Sequence, residues 1–304
     1  MVADDWSWFR ALLARRVRDG SFYRALHGIS RSGLPRFHLD RYGPVWVVAF
    51  SAPPEPGDSL SGLGSLLAKS GEGVVFRYRD EERRDRSVAH VAEGTCPGRL
   101  VIEHAGYRFE ARPLDPIDPG AYPDSEPIRE SLRAESPGKR VLNLFAFTCL
   151  NGVVARLAGA RSVVNVDLAR NHLVRGKENH ELNGLACDDR DFVDEDVLRF
   201  CGRARPGSFD LVVVDPPPLV RRGRGRVPSE DLVGEMLERV LPLVAPGGCV
   251  HFLQCTSRIS AAELEERVRA ACPGLPVAVC ATVRRDLHSS ELPPTFKDAV
   301  VGPT

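Results

Sequence analysis

One stretch constrains the fold of this 304-residue chain more than any other: Arg140 to Asp167, reading RVLNLFAFTCLNGVVARLAGARSVVNVD. Val141, Leu142, Leu144 and Phe145 form an apolar run long enough for one buried parallel strand. A turn follows, then Val153, Val154, Leu157 and Ala158 recur at helical spacing until Gly159 stops the helix. Ser162 to Val166 is a second apolar run, closed by Asp167. A strand, a helix and a strand with a carboxylate at its tip suit a nucleoside. At the carboxyl edge of an open sheet, such a carboxylate can accept hydrogen bonds from both ribose hydroxyls.

The flanking sequence divides unevenly. Residues 1–115 read as a small α+β domain. It has an amphipathic helix over 4–18, strand-like runs in Leu39–Phe50, a helix near Leu60–Lys69, a strand at Val74–Tyr78, a mixed-charge turn at Asp80–Arg86 and a hairpin around Ala105-Gly106. Residues 116–135 read as a crossing loop, within a stretch from Pro113 to Pro127 that holds five prolines. Residues 136–304 then alternate strand and helix. Their clearest strand, Phe209–Val214, runs into Asp215-Pro216-Pro217-Pro218. After it come a helix over Leu232–Val244 closed by Pro246-Gly247-Gly248, a strand at Val250–Gln254 leading to Cys255, a helix over Ala261–Ala271, and strands at Val277–Val283 and Ala299–Val301. Such alternation predicts a parallel-type open sheet covered on both faces.

Composition narrows the partners. The 41 basic and 41 acidic residues cancel, which argues against a globally basic nucleic-acid binder. No apolar run approaches the roughly 20 residues of a membrane span, and the acidic start MVADDWSWFR is no secretory signal, so the expectation is a soluble cytoplasmic protein. The eight cysteines contain no C-x-x-C pair and read as reduced thiols, with no structural zinc expected. The oligomeric state stays open, a homodimer included.

The order of these parts resembles the class I S-adenosylmethionine (SAM) methyltransferases, and more narrowly the bacterial large-subunit ribosomal RNA methyltransferases of the I and K types. LPRFHLDRYGPVWVVAF from Leu34 is similar to the family's early segment. VLNLFAFT from Val141 is similar to its first SAM motif, VDLARNHLVRGKENHELNGL from Val166 to its second, DPPP from Asp215 to its fourth, and CTSRIS from Cys255 to its cysteine-serine motif. The resemblance implies a Rossmann-like SAM-binding domain. Asn143, Phe145 and Phe147 would lie beside the cofactor, Asp167 on its ribose, Asp196 and the Val197 backbone on the adenine edge, and Asp215 at the sulfonium or the acceptor. It further implies RNA as acceptor and cytosine C5 as target. Cys255 would be the nucleophile that adds to C6, because C5 is not otherwise nucleophilic. Tyr122, Asp124, Pro216 and Pro217 would lie on the substrate side.

The departures from the family are specific. Cys149 and Leu150 follow Thr148 where glycine is usual, Glu126 stands where arginine is expected, and Leu219 replaces an aromatic suited to stacking on a base. The RNA-binding appendage of the I type does not precede this region. Each candidate also has a plainer reading. Asp167 and Asp196 would serve as helix caps, while Cys255 and Cys149 would be buried thiols. Tyr122 and Phe147, whose rings could face a sulfonium, would be core aromatics. Arg221, Arg222, Arg224 and Arg226 would form a solvated loop rather than an anion site, and His288 would be a surface residue. Three functions therefore stand side by side. They are a SAM-dependent methyltransferase acting on RNA or a small molecule, an enzyme cyclising SAM to azetidine-2-carboxylate with release of methylthioadenosine, and a catalytically degenerate SAM-binding module.

Overall fold

The computed structural model describes residues 21–31, 34–55, 58–68, 73–80, 87–223, 225–256, 258–281 and 296–302, with 6, 9, 10 and 13. Most of the helix expected over 4–18, the charged run 81–86, and His288, Arg224 and Ser257 lie outside them. The described residues fall into two units, one up to Asp124 and the other from Ser125 onward.

The first unit carries a five-stranded sheet in sequential order: β1 (Phe22–Arg31), β2 (Leu34–Tyr42), β3 (Val45–Phe50), β4 (Gly73–Arg79) and β5 (Ser87–Glu93). Only β3 and β4 run parallel, and helix α1 (Asp58–Leu67) makes the crossover between them. Val48, Phe50, Val74 and Phe76 meet Leu63 and Leu67 of α1 in one apolar core. The hairpin of β6 (Leu100–His104) and β7 (Tyr107–Ala111) turns at Ala105-Gly106 as its alternation predicts.

The second unit opens with α2 (Glu126–Glu135), which occupies half of the stretch expected as a crossing loop. Pro127 suits a first helical turn, and Ile128 and Leu132 are fully buried one helical turn apart. Glu126 explains its own reversed charge: it opens the helix and pairs with Arg129 and Arg133. There follow β8 (Arg140–Leu144), α3 (Leu150–Leu157), β9 (Ser162–Asp167), α4 (Arg170–Leu182), β10 (Phe192–Asp194), α5 (Val197–Arg203) and β11 (Phe209–Val214). After them come the hairpin β12 (Leu219–Arg222) and β13 (Gly225–Pro228), then α6 (Val233–Val240), β14 (Val244–Gln254), α7 (Ala261–Ala271), β15 (Val277–Ala281) and β16 (Lys297–Val301).

Seven of these strands form one sheet, in the order β10-β9-β8-β11-β14-β16-β15. The first five are parallel, and β16 runs antiparallel to both its neighbours. Strand order reverses between β8 and β11, so the ligand crevice lies at the carboxyl ends of those strands. Two expectations are corrected here. The helix read over Leu232–Val244 is α-helical over Val233–Val240 and tightens to a 3-10 turn over Leu241–Leu243, and Pro246-Gly247-Gly248, expected to close it, lies inside β14 at a register shift opposite β11. Gly248 makes that bulge possible, since a Cβ there would lie 2.7 Å from the Asp210 carbonyl. The basic stretch after DPPP is an antiparallel hairpin, its Arg222 paired with Glu235 at 2.5 Å.

Candidate active site

The turn after β8 is unusual in its backbone. Phe145, Phe147 and Cys149 take φ of 56°, 49° and 59°, left-handed values that cost a side chain roughly 1–2 kcal/mol each. Such strain persists where surrounding contacts over-determine it, and those contacts are visible. The Phe147 N–H donates to Asp167 Oδ2 at 2.8 Å, the Ala146 N–H to the Val166 carbonyl at 3.0 Å, and Asn179 Nδ2 to the Thr148 carbonyl at 2.9 Å. The folded loop leaves Phe145 and Phe147 partly exposed, alternating with buried Leu144, Ala146 and Thr148.

Cys149 sits where glycine was expected, and φ of 59° shows why glycine suits the position. Its side chain is fully buried with Ala146, Leu173 and Phe192, and fills the space above Gly176. Burial, with the Asp167 charge adding, pushes its thiol well above the ordinary pKa, as for an inert packing thiol.

Asp167 closes β9 with both oxygens engaged. Oδ2 takes the Phe147 N–H and Oδ1 the Ala169 N–H, each at 2.8 Å, and His172 Nδ1 lies 3.5 Å from Oδ1. A carboxylate has about four acceptor positions, so two N–H groups fix its orientation and leave capacity for a diol. Asp194 lies opposite Asp167 in the ladder, and the Glu195 N–H reaches the Asp167 carbonyl at 3.1 Å, bringing the Asp194–Val197 turn beside it. Asp196 caps α5 through the Arg199 N–H at 3.0 Å, while the Val197 side chain is buried. The Asn143 side chain is buried at β8, donating to Asn165 Oδ1 at 2.9 Å, and Asn165 in turn lies against Gly152.

Across the switch point, the Asp215 N–H donates to the Leu144 carbonyl at 3.3 Å, tying the DPPP turn to β8. Cys255 follows β14, with its Sγ 3.7 Å from Asp215 Oδ1. These two residues, 40 apart in sequence, therefore meet at the sheet edge. Pro216 is buried and Pro217 exposed, and Leu219 is exposed at the foot of the hairpin. Sequence reasoning missed Lys297. It is fully buried on β16 opposite Gln254, donates to the Thr256 carbonyl at 2.6 Å, and interacts electrostatically with Cys255 and Glu230. Burial lowers its pKa, and those neighbours pull the other way. It was also one of only four lysines in an arginine-rich chain, a signal that was available. Tyr122 and Asp124 belong to the first unit, where Asp124 accepts from Arg24 at 2.8 Å.

The model of the S-adenosylmethionine-dependent methyltransferases matches residues 63–293. The chain belongs to that family. Among its relatives is the ribosomal RNA large subunit methyltransferase of Deinococcus radiodurans, 29% identical over 289 residues, covering 88% of this chain and 71% of that protein. The ribosomal RNA large subunit methyltransferase K/L of Pseudomonas paraeruginosa is 30% identical over 215 residues, 70% of this chain but 29% of its own length. The chain thus spans under a third of the K/L relative. In fold it is similar to the SAM-dependent methyltransferase of Agrobacterium tumefaciens, with TM-score 0.70, 20% identity, and coverage of 94% of this chain and 91% of that one. A structure solved with S-adenosylhomocysteine bound gives TM-score 0.79 at 17% identity, covering 99% and 83%. SAM is the cofactor of this methyltransferase, and the donor set fits it: an oriented carboxylate at the tip of β9, the loop Phe145–Cys149 and the DPPP turn face one switch point. No helix among the described residues is long and apolar enough to cross a membrane.

Proposed function

We propose that this methyltransferase modifies cytosine C5 in large-subunit ribosomal RNA, with Asp167 binding the ribose of SAM, the Asp196–Val197 turn meeting the adenine, and Cys255 as nucleophile. The observation that carries the reading is the approach of Cys255 Sγ to Asp215 Oδ1, 3.7 Å, at the carboxyl ends of β14 and β11. When bound, SAM supplies an electrophilic methyl group. The chain's own residues do the rest. The Cys255 thiol gives up its proton, with Asp215 the nearest carboxylate to take it. The thiolate then adds to C6, and the pair of electrons displaced from the ring double bond makes C5 a nucleophile. After C5 takes the methyl group, a base removes the C5 proton and the C6–S bond breaks, returning both the aromatic ring and the thiolate. Buried Lys297 is assigned as a positioning residue: its bond to the Thr256 carbonyl fixes the peptide next to Cys255, and its charge favours a neighbouring thiolate. Work on ribosomal RNA places the protein in the cytoplasm.

The test is a covalent trap. Large-subunit RNA carrying 5-fluorocytosine, incubated with SAM, should form a protein–RNA adduct stable to denaturing gels, because fluorine at C5 cannot leave as a proton does. The Cys255→Ser variant should form none. Methyl transfer to that RNA with no adduct from the wild type would overturn the cytosine C5 reading. The acceptor-free cyclisation rested on a pocket narrowed by Cys149 and Leu150, and both side chains are buried within the protein.

A further inference from the structure

On β14, Cys249 and His251 lie two residues apart, so strand alternation puts both on one face. Glu135, the last residue of α2, meets them there. His251 Nε2 lies 3.1 Å and Cys249 Sγ 3.7 Å from Glu135 Oε2, and the three donor atoms all fall within 4.8 Å of one another. The other ring nitrogen, His251 Nδ1, contacts Asp298 Oδ2 at 2.7 Å. We infer that Glu135, Cys249 and His251 form a binding site for a zinc ion, with Asp298 orienting the histidine.

Two edges of the group, N···O at 3.1 Å and S···O at 3.7 Å, are close to those zinc requires. Zinc bonds of about 2.0–2.1 Å to nitrogen, 2.0–2.2 Å to oxygen and 2.3 Å to sulfur, at tetrahedral angles, give N···O and S···O edges of about 3.3 and 3.5 Å. A histidine that ligates a metal through one nitrogen usually holds a carboxylate on the other, as His251 holds Asp298. Thiolate, imidazole and carboxylate together suit zinc rather than magnesium or calcium. His251 and Cys249 are buried, while the Glu135 side chain is about a third exposed (34%). The approach to the site is therefore from solvent, and a water can complete four ligands. Zinc would displace the Nε2 proton and the Cys249 thiol proton, releasing both to solvent. His251 precedes Cys255 by four strand positions, about 13 Å at 3.3 Å per residue. The ion would thus pin α2 to β14 and stand apart from the reacting atoms.

The test uses the full chain, stripped with a chelator and titrated with zinc chloride by calorimetry, then with cobalt(II) for spectroscopy. One equivalent should bind with submicromolar affinity, and cobalt should show tetrahedral d–d bands with thiolate charge transfer. Cys249→Ser should abolish the charge transfer. Glu135→Gln, at a partly exposed side chain, should weaken zinc binding at least tenfold, and Asp298→Asn roughly 10–100-fold. Circular dichroism and SAM affinity serve as checks on folding. No zinc uptake by the wild type would overturn the site, as would uptake unchanged in Cys249→Ser and Glu135→Gln. The cluster would then be a protonated histidine clamped between two carboxylates.

Discussion

On the β8–β9 side of the sheet edge, backbone does most of the holding. Asp167 is fixed by two main-chain N–H groups, and the Phe145–Cys149 turn is tied to β9 and α4 through its own amides and carbonyls. On the β11–β14 side, individual side chains meet: the Cys255 thiol with the Asp215 carboxylate, and the Lys297 ammonium with a carbonyl one residue away. The first arrangement tolerates changes in side chain, which is how Cys149 can stand in a glycine's place. The second depends on the identity of a few atoms. The cofactor side should therefore respond to substitution by graded losses of affinity, and the acceptor side by loss of turnover.

The largest effect should come from the acceptor side. Replacing Cys255 with serine should lower methyl transfer by on the order of 10³-fold or more, as removal of a nucleophile does, with SAM affinity unchanged by calorimetry. An equal loss of SAM affinity would erase the distinction between the two sides. Next is Asp167→Ala. Two charge-assisted hydrogen bonds to a ribose are together worth about 3 kcal/mol, so SAM affinity should fall roughly a hundredfold. Unchanged affinity would remove Asp167 from the cofactor.

How much of this was legible in the sequence follows from the range of the forces involved. Phe209–Val214 was read to the residue because its short, valine-rich run Leu211–Val214 stops at Asp215-Pro216, which suits a buried strand. Ala261–Ala271 was also read to the residue, and the structure adds the capping box of Ser260 and Glu263 that starts it. The meeting of Cys255 with Asp215 was expected from family likeness and strand order. By contrast, β1 (FYRALHGISR) went unread: its polar residues carry no clean alternation, and its pairing with β2 has three irregularities. The roles of Lys297, whose rarity was its one visible signal, and of the Glu135–Cys249–His251 group were hidden for a different reason. Each takes its meaning from partners 41 to 116 residues away, and no local pattern encodes them.

Lys297 tests whether the acceptor side extends beyond the reacting pair. Lys297→Met keeps the bulk and removes the charge. Alkylation of Cys255 at neutral pH, followed by mass spectrometry of its peptide, should slow about tenfold, the equivalent of one pKa unit, and turnover should fall in parallel. Slower turnover with an unchanged alkylation rate would make Lys297 purely structural.

The smallest effect probes the cofactor side through its strained turn. A Cβ on Gly176 would overlap Cys149 Sγ and come within 2.9 Å of Cys149 Cβ. Both belong to elements that cannot easily move, a helix and a loop held by Asn179 and Asp167. Gly176→Ala should therefore destabilise the protein by about 2 kcal/mol, the usual cost of overpacking. It should also weaken SAM binding, since the displaced turn carries the Phe147 N–H. Cys149→Gly alone should be nearly neutral. Relief of about 1–2 kcal/mol of left-handed strain offsets the lost burial of one thiol and the roughly 0.5–1 kcal/mol entropic cost of a glycine. Combined, the two substitutions should recover most of the stability lost in Gly176→Ala, because the atoms that collide are gone. Denaturant titration of the four proteins decides it. A double variant whose loss equals or exceeds the sum of the single losses would show that the two residues do not press on one another, and that the turn is held by its hydrogen bonds alone.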